Sequence, residues 1–103
     1  MNNTGLTEQE IDAMHTVFRQ VGAIRTVLLF GSRAKGSFRP ESDIDLALVG
    51  VANALEAEAV AEALESLPLP YRFDVKAYDS ICYLPLLEHI KRVGVPIYQQ
   101  ETE

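Results

Sequence analysis

With 103 residues, a net charge of −6 and a single cysteine, the chain has room for one domain (1–103) around one modest core and cannot form an internal disulfide. Its 48% hydrophobic and 23% charged residues are those of a soluble globular protein, and too few Lys and Arg are present for strong nonspecific nucleic-acid binding. No apolar run approaches the ~20 residues that span a bilayer, and the opening MNNTGLTEQE lacks the basic and apolar parts of a secretory signal; a reducing cytoplasm is the expected compartment.

The first helix is announced by Thr7 and Glu10, which fit a capping box, and by Leu6 and Ile11, which fit a hydrophobic staple. Ile11, Met14, Val17, Phe18 and Val21 then recur at helical spacing, and Gly22 suits the stop. Thr26 to Phe30 is a short apolar run bounded by turn formers and reads as a buried strand. Gly31-Ser32 follows at once, with Ser32 to Lys35 opening a short helix that ends at Gly36. After the loop Ser37 to Ser42, Ile44 to Val49 reads as a second strand.

Asn53 with Glu56 resembles another cap, and the helix it opens runs to about Leu67 with Val60, Ala63, Leu64 and Leu67 on one face. Pro68 and Pro70 break the chain. Arg72 to Tyr78 alternates, with Phe73, Val75 and Ala77 on one face and Asp74, Lys76 and Tyr78 on the other, as in a half-exposed strand. Pro85 fits the first turn of a last helix that buries Leu86, Leu87, Ile90 and Val93 and stops at Gly94. Val95 to Tyr98 adds a short edge strand. The order α-β-α-β-α-β-α-β predicts an α/β (α+β) domain with a small mixed sheet and helices packed mainly on one face.

The chemistry concentrates at Gly31-Ser32 and, ten residues on, Asp43-Ile44-Asp45. A strand, a glycine turn and a helix start present backbone N–H groups to an anion. Gly31 permits close approach of a phosphate, and Ser32 adds a hydroxyl and an N–H. Residues i and i+2 of a strand point the same way, so Asp43 and Asp45 face together. Two such carboxylates repel, which raises the pKa of at least one unless a cation intervenes. All-oxygen ligands select Mg²⁺, or Mn²⁺, over zinc. If the strand bearing Asp74 pairs beside the second strand, Asp74 becomes a third ligand, and three carboxylates suffice for two ions ~3.5–4 Å apart. Arg33 and Lys35 are candidates for neutralising phosphate charge. Asp74 is also a candidate base for the attacking hydroxyl, in a displacement at the α-phosphorus that expels pyrophosphate.

Other chemistry-bearing residues read as structural. His15 and His89 lack partners at metal spacing, Cys82 reads as a small buried thiol, and Tyr78 and Tyr83 as packing residues. Lys76 shares a face with Asp74 and can pair with it, and Arg39 lies on a solvated loop. No Gly-Lys-Ser/Thr sequence is present, which disfavours a Walker-type phosphate loop.

Gly31 to Gly36, Ser42-Asp43-Ile44-Asp45-Leu46 and Phe73-Asp74-Val75 together resemble the minimal nucleotidyltransferases of the DNA polymerase beta superfamily, over about Val27 to Tyr98. The nearest likeness is to the MNT-type antitoxins, which act with a HEPN-domain partner. That resemblance implies a polymerase-beta-like nucleotidyltransferase fold and transfer of AMP from ATP to a tyrosine of a HEPN toxin. It makes Asp43, Asp45 and Asp74 the metal and catalytic residues and Gly31, Ser32, Arg33 and Lys35 the nucleotide-binding ones. The domain with which larger relatives hold the acceptor is missing, which suggests a hetero-oligomer or a homodimer. Two alternatives stand beside this reading. One is a non-catalytic antitoxin that neutralises a basic partner by charge complementarity. The other is a transferase for small molecules or nucleic acids, which the short chain disfavours.

Overall fold

A computed structural model describes residues 4–101. Thr7 caps α1 (Glu8–Phe18) through the expected box: the Glu10 N–H donates to Thr7 Oγ1 at 3.1 Å and the Thr7 N–H to Glu10 Oε1 at 2.9 Å. The helix ends before Gly22, with Val21 in the turns that follow. The apolar run forms β1 (Thr26–Phe30) and leads directly into α2 (Gly31–Lys35), which Gly36 closes in the left-handed conformation. Next come β2 (Ile44–Val49), α3 (Ala54–Glu65, capped by Asn53), β3 (Phe73–Ala77), a 3₁₀ turn (Tyr78–Ser80), α4 (Leu84–Val93, proline in its first turn) and β4 (Val95–Gln99).

The strands form one mixed sheet in the order β3-β2-β1-β4. β1 runs antiparallel to both β2 and β4, and β2 runs parallel to β3. The parallel pair needs a crossover, which α3 supplies. Pro96 lies in β4, an edge strand, where its missing N–H is tolerated.

The alternation of each strand sorts its side chains between two layers. Val27, Leu29, Ile44, Leu46, Leu48, Phe73 and Ala77 meet Met14, Val17 and Phe18 of α1 and Ala57, Val60 and Leu64 of α3 in the main core. On the opposite face Phe30, Ala47 and Ile90 form a smaller cluster with Leu28, Tyr78, Ile81, Leu86 and Val93. The two longer helices therefore cover one face, and α4 covers part of the other. Four expected core positions differ in degree. Ala63 is exposed because α3 turns its Ala57, Val60 and Leu64 stripe inward, and Leu86, Leu87 and Val93 are only half-buried because α4 is amphipathic and lies over a smaller apolar patch.

His15 is structural, as expected. Its Nε2 lies 2.6 Å from the Ile97 carbonyl oxygen, and its ring packs edge-on to Tyr98. Cys82 is corrected: the chain leaves the sheet at the 3₁₀ turn, and the thiol is exposed.

Leu46 has no exposed surface and follows Asp45 on β2, paired with Leu29 on one side and Val75 on the other. Leu46→Ala is expected to cost about 2–5 kcal/mol of stability by urea unfolding.

Candidate functional site

The faces of β2 and β3 that point away from the main core carry the acids. Parallel pairing sets Asp45 opposite Asp74, and Ile44 opposite Phe73. Asp43 immediately precedes β2, two residues from Asp45, and its charge acts on that carboxylate. On the other side of β2, Asp45 pairs with Phe30, the last residue of β1. The register thus brings the three aspartates and the Gly31-Ser32 turn to one region of the sheet, on the face that α4 partly covers.

Gly31 has φ +74°, and a Cβ built on it would overlap Asp45 Oδ2. Glycine is required there twice: for the backbone conformation and for the carboxylate tucked under the turn. Asp45 is half-buried, whereas Asp43 and Asp74 are exposed. Burial, followed by repulsion from Asp74 and then Asp43, raises the pKa of Asp45 to about 6, against a smaller opposing pull from Lys76. Lys76 Nζ lies 3.6 Å from Asp74 Oδ1, the pairing expected from their shared face.

Among the described residues, no three carboxylate, histidine or cysteine side chains are drawn together closely enough to enclose an ion. Asp74 instead leans on Lys76, the cation within its reach. The donor set nevertheless fits a hard divalent cation. It is all oxygen, it lies beside a turn suited to phosphate, and a carboxylate raised to about pKa 6 by burial and then by its acidic neighbours gains from a counter-charge.

Ser32 is half-buried in the first turn of α2, and Lys35 is exposed in its last turn. Arg33 lies elsewhere. The expectation that it contacts a phosphate does not match its geometry, because it is 1% exposed with its guanidinium turned inward. Nη1 donates to the Thr4 carbonyl at 2.9 Å, and Nη2 to the Pro40 and Ser42 carbonyls at 3.2 and 3.0 Å. The group lies 5.1 Å from the centre of the Phe38 ring and 4.9 Å from that of Tyr71. The Tyr71 hydroxyl in turn donates to Glu10 Oε2 at 2.8 Å. Arg33 therefore binds the N-terminal segment, the loop before Asp43 and the approach to β3 into one unit.

Sequence reasoning missed a second feature. The Gly31 N–H donates to Nε2 of His89 on α4 at 3.3 Å, and the His89 ring stands edge-on to Phe30. Neither contact has a local signal, since His89 lies 58 residues from Gly31 and Arg33 lies 29 from Thr4.

A model of the family described as "Polymerase beta, Nucleotidyltransferase" matches residues 12–103. The Haemophilus influenzae protein named "Probable protein adenylyltransferase MntA" is 30% identical over 98 residues, spanning 93% of this chain and 85% of its own. A toxin-antitoxin crystal structure with AMP-PNP superposes with TM-score 0.73 at 20% identity, over 88% of this chain and 74% of that one. A structure of a tri-AMPylated Shewanella oneidensis HEPN toxin in complex with an MNT antitoxin gives TM-score 0.70 at 17% identity, over 92% of this chain and 74% of that one. At those identities the two structures speak for the fold. With the family model and the Haemophilus relative they leave one assignment: the chain belongs to the polymerase beta nucleotidyltransferase family.

Two outcomes test this geometry. A folded-state pKa raised above the unfolded value means that Asp45 favours the fold when protonated; this contribution is full below about pH 4 and is lost as pH rises through about 6. In chelator, Asp45→Asn should melt above wild type at pH 8, and the gap should close towards pH 4. Arg33→Lys leaves three carbonyls, that of Thr4 buried, to one ammonium and should destabilise by about 2–4 kcal/mol in denaturant titrations.

Proposed function

We propose that this chain is a metal-dependent adenylyltransferase that moves AMP from ATP to a tyrosine of a HEPN-type toxin, and so acts as the antitoxin of the pair. The observation that carries the catalytic part is the register of Asp45 with Asp74, beside a glycine turn under which Asp45 is tucked. The choice of acceptor is supported by the Haemophilus relative, named a protein adenylyltransferase, and by the fold shared with chains of toxin-antitoxin complexes.

Asp43, Asp45 and Asp74 are the residues that would hold two Mg²⁺ ions, for which Mn²⁺ can substitute. When bound, the ions supply Lewis-acid polarisation of the α-phosphate and offset the charge of the pyrophosphate leaving group. The chain's own contribution is placement. Gly31 and Ser32 offer backbone N–H groups, and Ser32 a hydroxyl, to the phosphates. Lys35 is free to swing its ammonium towards their outer oxygens. Asp74, exposed at the sheet edge, accepts the proton of the attacking phenol as its oxygen bonds to the α-phosphorus. The bond from that phosphorus to the bridging oxygen breaks, and pyrophosphate carries the electron pair away.

The test pairs labelled ATP and Mg²⁺ with this protein and the product of its neighbouring reading frame, expected to be a HEPN-type protein. Label is expected on a tyrosine of that protein. Asp43→Ala combined with Asp45→Ala should lower transfer by about a hundredfold or more, as removal of several kcal/mol of charge stabilisation implies. Wild type with ATP and Mg²⁺ together should gain about 2.7 kcal/mol of stability at a hundredfold excess over Kd. Protection from the toxin that survives the double substitution would assign the chain to neutralisation by binding alone.

A further inference from the structure

We infer that His89 is a phosphate-contacting residue of this site, donating a ring N–H to an oxygen of the bound triphosphate. The inference rests on the nucleotidyltransferase reading above.

Gly31 has a different neighbour in each of two directions. Asp45 Oδ2 occupies the space that a Cβ would fill, and His89 Nε2 receives the N–H at 3.3 Å. One residue thus stands between a carboxylate suited to a cation and an imidazole suited to an oxygen acceptor. A triphosphate carrying its metal presents both kinds of group within one small molecule. The imidazole is also held in place. Ile90, the next residue of α4, is buried with Phe30 and Ala47, and the Phe30 ring meets the His89 ring at 83° with centroids 6.1 Å apart.

The contact in the free protein is easily displaced. A separation of 3.3 Å lies beyond the usual N–H hydrogen-bond length. A phosphate oxygen forms a shorter, charge-assisted bond to the same amide. Any anion that takes this N–H comes to rest beside the ring. A neutral imidazole carries one N–H in either tautomer, and accepting at Nε2 leaves it on Nδ1. Exchange through water moves the hydrogen to Nε2, and the nitrogen that accepted from Gly31 then donates to the phosphate. No covalent bond of the substrate is involved.

Two other basic side chains are engaged elsewhere: Arg33 is committed to carbonyl groups and Lys76 lies against Asp74, while Lys35 is exposed and serves the outer oxygens on the reading above. His89 is the ring that reaches the turn from α4.

Calorimetric titration of the full chain with Mg–ATP and with Mg–AMP tests the inference. His89→Ala should weaken Mg–ATP binding about tenfold and leave Mg–AMP binding unchanged, the loss expected of one charge-assisted hydrogen bond. His89→Gln, which keeps an N–H donor, should recover most of that loss. In wild type, the ring nitrogen resonances of His89 should move with Mg–ATP and much less with Mg–AMP. Equal or tighter ATP binding by His89→Ala, an equal loss for both nucleotides, or ring resonances that ATP does not shift would each overturn the assignment. Failure of wild type to bind any nucleotide with Mg²⁺ or Mn²⁺ would overturn the reading of the whole site. ATP binding by wild type that is indifferent to His89 removes only this residue from it.

Discussion

Like charges placed opposite one another on paired strands repel, and this sheet holds Asp45 and Asp74 in that arrangement. What holds them lies on the other face. Ile44, Leu46 and Leu48 alternate with the acids along β2 and are buried without exposure, and Phe73 and Ala77 are buried likewise, though less completely, along β3. A slip of one residue would send those apolar side chains to the acid face and the acids into the core. The register is therefore fixed by hydrophobic burial, and the electrostatic cost is carried by Asp45, whose proton affinity rises. A cation bound beside these acids would relieve that cost.

The second requirement is control of the chain on either side of the acids. Asp43 sits at the end of a loop, where backbone freedom would blur its position. The Ser42 carbonyl next to it is bound by the buried Arg33, and the Ile44 N–H reaches the Arg72 carbonyl at 2.9 Å. A guanidinium suits this task because its planar fork serves several carbonyls at once and stacks against aromatic rings. The short helix after the glycine turn thus has two sides with separate duties. Its first residues face the acids, and its arginine braces the loop that delivers one of them.

Local patterns made much of this visible from the sequence. The helix caps, the glycine and proline stops and the strand alternation locate the four α-helices and four strands of the described residues, though not the 3₁₀ turn, and the i, i+2 rule places Asp43 and Asp45 together. Asp74 was readable as a polar-face residue, with its neighbour conditional on β3 pairing beside β2, as it does. Arg33 misled because a basic residue after a phosphate turn suggests an anion contact, whereas its partners, Thr4, Pro40, Ser42, Phe38 and Tyr71, come from separate segments. The contact of His89 with Gly31 was not visible and Cys82 was misplaced for a related reason. Which way α4 lies across the sheet, and where the chain leaves β3, are decided by tertiary packing and not by neighbours in sequence.

Among the described residues, the strand that bears Asp74 lies at an edge of the sheet, paired on one flank with β2. The third acid consequently stands at a rim and not at the bottom of a cleft. On the adenylyltransferase reading, a rim admits a hydroxyl carried on something as bulky as a folded protein, which no enclosed cavity of a 103-residue chain would accept. The same openness gives water equal access to the reaction centre. Preference for a phenol over solvent must then come from how the acceptor protein seats itself, so that the two molecules complete a single enclosure between them.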